Sequence, residues 1–96
     1  MAEQDRVPDG SRYEIVAWGI SATNEYPEGI KYSFQYTAEN GDTLLRYDNY
    51  DTEREVGTHH RHHYLEGVTG LEFTGLKSHV ERFLTEVNKI HDERQH

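Results

Sequence analysis

The sequence predicts an α+β fold: a small antiparallel sheet of three to four strands with one C-terminal amphipathic helix. Three observations carry that expectation. Residues 30–38 alternate, with Ile30, Tyr32, Phe34 and Tyr36 facing one way and Lys31, Ser33, Gln35 and Thr37 the other, as a half-buried antiparallel strand requires. Asn40-Gly41 follows, the strongest short hairpin signal, because both central residues of a type I′ turn need positive φ. From Leu76 the period changes: Leu76, Val80, Phe83, Val87 and Ile90 recur at intervals of four and three, one stripe of an amphipathic helix.

The elements follow in chain order. Residues 1–11 are polar, contain Pro8 and Gly10, and are expected to be a disordered lead-in. Residues 12–18 alternate, with Tyr13, Ile15 and Ala17 opposite Glu14, Val16 and Trp18, and predict a strand. The segment 21–29 is a loop by composition. Residues 43–50 predict a third strand, with Leu45 and Tyr47 alternating against Leu44, Arg46 and Asp48. Residues 51–58 predict a charged surface loop, and residues 59–64 a fourth strand or an extended segment. Gly67, Gly70 and Gly75 break the chain around Leu71 and Phe73 before the helix begins. One domain over 12–93 with a tail at 94–96 results. So small a pair of layers buries little, and a homodimer is a candidate source of further stability.

Composition narrows the classes. Hydrophobic residues make up 33% of the 96, so the core must be small and lean on Tyr 7, Phe 3 and Trp 1. No apolar run approaches the roughly 18 residues of a membrane span, and the first ten residues hold no apolar stretch of a secretory signal. A cytoplasmic protein without membrane partners is expected. The absence of cysteine excludes a disulfide scaffold, a thiol nucleophile and cysteine zinc fingers. A net charge of −8 argues against indiscriminate binding to nucleic acid, because phosphate is repelled. Only Lys31, Lys77 and Lys89 are lysines. Acidic excess with scarce lysine matches surfaces adapted to a salt-loaded cytoplasm, where screening makes the net sign uninformative about partners. It equally matches an ordinary acidic surface kept soluble by charge.

The compositional outlier is His59-His60-Arg61-His62-His63, which holds four of the seven histidines. Imidazole both gives and takes a proton near neutral pH. On a strand His60 and His62 share one face, about 7 Å apart at Cα, and His59, Arg61 and His63 share the other. Cleavage of RNA without a metal or other cofactor needs a base for the 2′-hydroxyl, an acid for the departing 5′-oxygen and a cation for phosphorus. His60 and His62 are the candidate base–acid pair. Arg46 and Arg61 are the candidate phosphate-binding cations, and Asp48 is the candidate orienter of a histidine tautomer. Tyr32, Tyr36, Tyr47 and Tyr50 are candidates for stacking exposed bases.

Each reading has a rival. Alternating tyrosines are more often core than base platforms, and Arg46 and Asp48 can form a simple surface ion pair worth under about 1 kcal/mol. The histidines can instead hold zinc, nickel or copper. One strand offers two ligands per face, so His60 and His62 need a third from Asp48, His79 or a partner chain. His79 otherwise reads as a flanking or core histidine, and His91 and His96 as a frayed tail. A third rival is an interaction protein that acts by occupying a surface, without catalysis.

The stretch from Tyr32 to Tyr64 resembles the TumE family of toxins from prokaryotic toxin–antitoxin modules. Arg46-Tyr47-Asp48-Asn49 matches an Arg-Tyr/Trp-Asp-Asn motif of that family, and His59-His60-Arg61-His62 matches a His-His-Lys-His motif with Arg61 in place of lysine. The likeness extends over roughly residues 12–90. Family members often carry further histidines and prolines between the motifs, where this chain has YDTEREVGT. The resemblance implies a growth-inhibiting toxin held in check by a cognate antitoxin, often a DNA-binding protein. Tyr47, Asn49, His59 and Tyr36 are the candidate substrate-binding residues. RNA cleavage is an inference from the His/Arg chemistry, so an endoribonuclease is a candidate activity.

Overall fold

The computed structural model describes residues 2–6, 10–22, 29–49 and 59–94. Among these, six antiparallel strands form one sheet, and one helix covers one of its faces. The strands are β1 (Ala2–Arg6), β2 (Arg12–Gly19), β3 (Ile30–Thr37), β4 (Thr43–Asp48), β5 (His60–His63) and β6 (Gly67–Gly70). The helix α1 spans Leu76–Arg94. The sheet order is β1-β2-β3-β4-β5-β6, so every strand pairs with its neighbours in the chain.

The α+β class and the C-terminal helix agree with the sequence reading; the strand count is higher. The two additional strands are the outer ones. β1 lies in the expected lead-in, paired with β2 from Ala2↔Val16 to Arg6↔Arg12. Its sequence AEQDR has no apolar alternation to announce it, whereas the backbone hydrogen bonds of a strand can be made by any residue but proline. β6, GVTG, pairs with β5 from His63↔Gly67 to His60↔Gly70 in a stretch read as broken by glycine. At the other end α1 runs to Arg94, and His91 is a half-buried member of it rather than a frayed tail. Tyr50, the loop 51–58 and His96 lie outside the described residues.

The hairpin at Asn40-Gly41 forms, with a wider turn than a type I′ reversal. Gly41 alone of the pair has positive φ, at 95°. The Gly41 N–H donates to Ala38 O at 2.9 Å, the Ala38 N–H donates to Asp42 O at 2.8 Å, and the Asn40 side chain accepts from the Asp42 N–H at 3.0 Å. An irregularity in pairing at Tyr36/Thr37 accommodates the extra residues.

The core lies between α1 and the sheet face carrying Ile15, Ala17, Tyr32, Phe34, Tyr36, Leu45 and Tyr47, all at most 3% exposed. Phe83, Val87 and Ile90 enter from the helix, with Leu76 and Val80 packed beside them. The Phe83 ring stands edge-on to Phe34 at 5.5 Å and to Tyr47 at 5.3 Å between centroids, a favoured aromatic geometry. Two polar clusters are built into this layer. The Tyr32 hydroxyl bridges His59 Nδ1 and His79 Nε2, each at 2.8 Å, while His59 stacks on Phe73 at 4.7 Å. Asn49, fully buried, accepts from the Tyr32 N–H at 3.0 Å and donates to Ile30 O at 2.6 Å, tying the end of β4 to β3.

Candidate functional site

The face of the sheet turned away from α1 carries the cluster. Strand alternation sends Tyr47 into the core and its neighbours Arg46 and Asp48 to the opposite side. The register sets His62 directly opposite Arg46 and His60 directly opposite Asp48. Four of the residues singled out in the sequence therefore meet on two adjacent strands.

Asp48 is the hub. Its Oδ2 lies 2.8 Å from Arg46 Nε and 3.7 Å from His62 Nε2, and its Oδ1 lies 3.2 Å from His60 Nδ1. The Arg46 Nη2 stands 3.2 Å from His62 Nε2. A guanidinium has only donors, so the Nε2 it faces is the lone-pair nitrogen, and a neutral His62 carries its proton on Nδ1. An ionised Asp48 has only acceptors, so His60 presents Nδ1–H to Oδ1. Exposure divides the four. Asp48 and His60 are buried, at 3% and 0% of their side chains, whereas Arg46 is 40% and His62 21% exposed. Arg46 and His62, with Thr43, His63 and Tyr64, line a shallow cleft of about 220 Å³. Two groups thus reach the cleft, and two hold them from beneath.

The remaining candidates lie elsewhere. Arg61 points to the helix side, where its Nε donates to Glu86 Oε1 and Oε2 at 3.0 and 2.9 Å and its Nη1 to Glu66 at 2.8 Å. Burial pulls the Arg61 pKa down, but these two carboxylates outweigh it and raise the value, while Arg61 lowers that of Glu66. Its guanidinium fastens β5 to α1 and does not join the Arg46 cluster. Tyr47 is fully buried between Phe34, His79 and Phe83, and burial, followed by nearby Glu86, raises its hydroxyl pKa. Tyr36 and Tyr32 are fully buried as well; Tyr36 shares a 3.1 Å hydrogen bond with Ser11. Asn49 and His59 belong to the polar clusters of the core. None of the four candidate substrate-binding residues Tyr36, Tyr47, Asn49 and His59 lines the cleft; all are buried.

His79 is the buried residue whose role the sequence left open. It sits among Tyr32, Phe34, Tyr47 and Phe73, and its pKa is pushed down to about 4, by burial first and then by His59 and Arg82. Its place on the apolar stripe, one residue before Val80, is the signal that identifies it as a core histidine. The cleft-lining Thr43 and Tyr64 had no signal, since each lies at a strand end where alternation fades.

The described residues contain no helix long and apolar enough to cross a membrane. A family model with the description Toxin TumE matches residues 3–91. Neither the curated proteins nor the solved structures yield a match to the chain.

Proposed function

The chain belongs to the TumE toxin family, and from that premise we propose that it arrests growth by cutting RNA without a metal at the Arg46–Asp48–His60–His62 cluster. A toxin of this family has a cognate antitoxin in general terms; a DNA-binding antitoxin, a cytoplasmic RNA target and a homodimer belong to the proposal. The observation that carries the reading is the pairing of exposed Arg46 and His62 in one cleft above a buried carboxylate that touches both.

In this reading Arg46 grips a phosphate, for which a guanidinium is shaped. Its departure from His62 Nε2 frees that lone pair to take the proton of the ribose 2′-hydroxyl. The 2′-oxygen forms its bond to phosphorus as the bond to the 5′-oxygen breaks, and water in the cleft protonates the leaving oxygen. Asp48 keeps both reacting side chains in place and stabilises the imidazolium formed on His62. His60, fully buried, is a positioning residue acting through Asp48, so one reacting imidazole replaces the base–acid pair expected from sequence.

Purified chain incubated with RNA in EDTA tests this. Cleavage that disappears in His62→Ala and Arg46→Ala, together with growth arrest, supports it. Growth arrest by a parent chain that leaves RNA intact overturns the cleavage mechanism and favours action by occupying a surface.

A further inference from the structure

We propose that Asp48, His60 and His62 form a binding site for one zinc-class divalent cation, and that this ion and RNA exclude one another. The second half rests on the RNA-cleavage reading above; the first does not.

The donor set is two imidazoles and a carboxylate, which suits zinc, nickel or copper over magnesium or calcium. One ligand atom from each residue lies within 4.8 Å of the others. The individual gaps are more telling. A tetrahedral ion with bonds of about 2.0–2.1 Å holds its ligands about 3.3 Å apart. His60 Nδ1 and Asp48 Oδ1 stand 3.2 Å apart, and His62 Nε2 and Asp48 Oδ2 3.7 Å. The two imidazoles face different oxygens of Asp48, so a small rotation of that carboxylate, with the His60 proton moved off Nδ1, brings one ligand atom from each residue onto one ion. Two of the three are already immobilised by burial and by their opposed positions on β4 and β5, so little ordering opposes binding.

Arg46 supplies an independent indication. Its guanidinium contacts two of the same donor atoms, Asp48 Oδ2 at 2.8 Å and His62 Nε2 at 3.2 Å. A positive group thus already occupies the position a cation would take. Being 40% exposed, Arg46 can swing outward and yield it. An ion held there consumes the His62 lone pair and displaces Arg46 from Asp48. Both groups assigned to RNA are then engaged or mispositioned, and three protein ligands leave the fourth position to water from the cleft.

The test is a titration of the full chain with zinc chloride alone, followed by calorimetry and by competition with a chelating indicator. One ion per chain is expected. Asp48→Asn and His62→Ala weaken binding by more than about 100-fold, beyond the roughly 10–100-fold that loss of an outer supporting group costs. Arg46→Ala moves the other way, tightening binding by up to about fivefold, the equivalent of one surface ion pair. Because that variant gains affinity, misfolding cannot imitate it. Zinc then halts RNA cleavage, and EDTA restores it. No stoichiometric uptake by the parent or Arg46→Ala, or uptake untouched by Asp48→Asn and His62→Ala, overturns the site. Uptake with cleavage accelerated overturns mutual exclusion. Uptake by a chain that never cuts RNA supports the site and overturns the cleavage reading together with the exclusion that rests on it.

Discussion

Arg61→Ala separates fastening from chemistry, because the sequence places Arg61 among the phosphate-binding groups and the structure places it between β5 and α1. Its side chain is 13% and that of Glu86 20% exposed, and one Nε–H is shared between both Glu86 oxygens at 2.9 and 3.0 Å. Removing it leaves a half-buried carboxylate without its cation beside the buried Tyr47. Stranding a group of that kind costs about 1–3 kcal/mol. In a domain of this size each kcal/mol lowers Tm by roughly 4–8 °C, so a loss near 2 kcal/mol becomes roughly 8–16 °C. Thermal melts followed by circular dichroism read the shift. A double-mutant cycle with Glu86→Ala isolates the pair, with an expected coupling of about 0.5–3 kcal/mol. RNA cleavage measured well below the lowered Tm stays near the parent's rate. An unchanged Tm with cleavage lost would refute the reasoning and return Arg61 to the phosphate.

Three further outcomes are expected. Asn49→Ala leaves the Tyr32 N–H and Ile30 O without their buried partner, and urea titration shows a loss of about 2–3 kcal/mol; a variant as stable as the parent contradicts the clamp. Stability is expected to fall with acidity through His79. Its folded pKa, about 4, lies below the ordinary 6.5, so the unfolded chain binds more protons between those values. The His79 contribution is complete above pH 6.5 and lost as pH falls through about 4, up to about 3 kcal/mol. Denaturant midpoints at pH 7.5 and 4.5 read the loss, and His79→Phe flattens the dependence; the same slope in the variant assigns the effect to another group. Tyr32→Phe removes the hydroxyl between His59 and His79 and costs about 1–3 kcal/mol by calorimetry, with RNA cleavage at permissive temperature retained. Loss of cleavage at full stability would tie that buried cluster to the chemistry.

Much of the sheet was legible because three strands carry their core residues at alternate positions. Ile15 and Ala17, Tyr32, Phe34 and Tyr36, and Leu45 and Tyr47 alternate as the core demands, and Phe83, Val87 and Ile90 keep the helical period. β1 and β6 escaped because edge pairing needs no apolar side chain, and GVTG even carries residues that ordinarily interrupt a strand. At the site, alternation on β4 and β5 correctly grouped Arg46 with Asp48 and His60 with His62. Which carboxylate would claim Arg61 is decided by Glu86, 25 positions along the chain, beyond any local pattern. The motif residues Tyr47, Asn49 and His59 stand between the reactive positions in sequence and behind them in space.

β5 is four residues long and serves two masters in alternate steps. Its even-numbered imidazoles belong to the cluster with Asp48, and odd-numbered Arg61 is the rivet that holds the strand to α1. An inserted or deleted residue inside that stretch would turn the rivet outward and bury the wrong imidazoles, damaging cohesion and reactivity together. The spacing of this strand cannot drift.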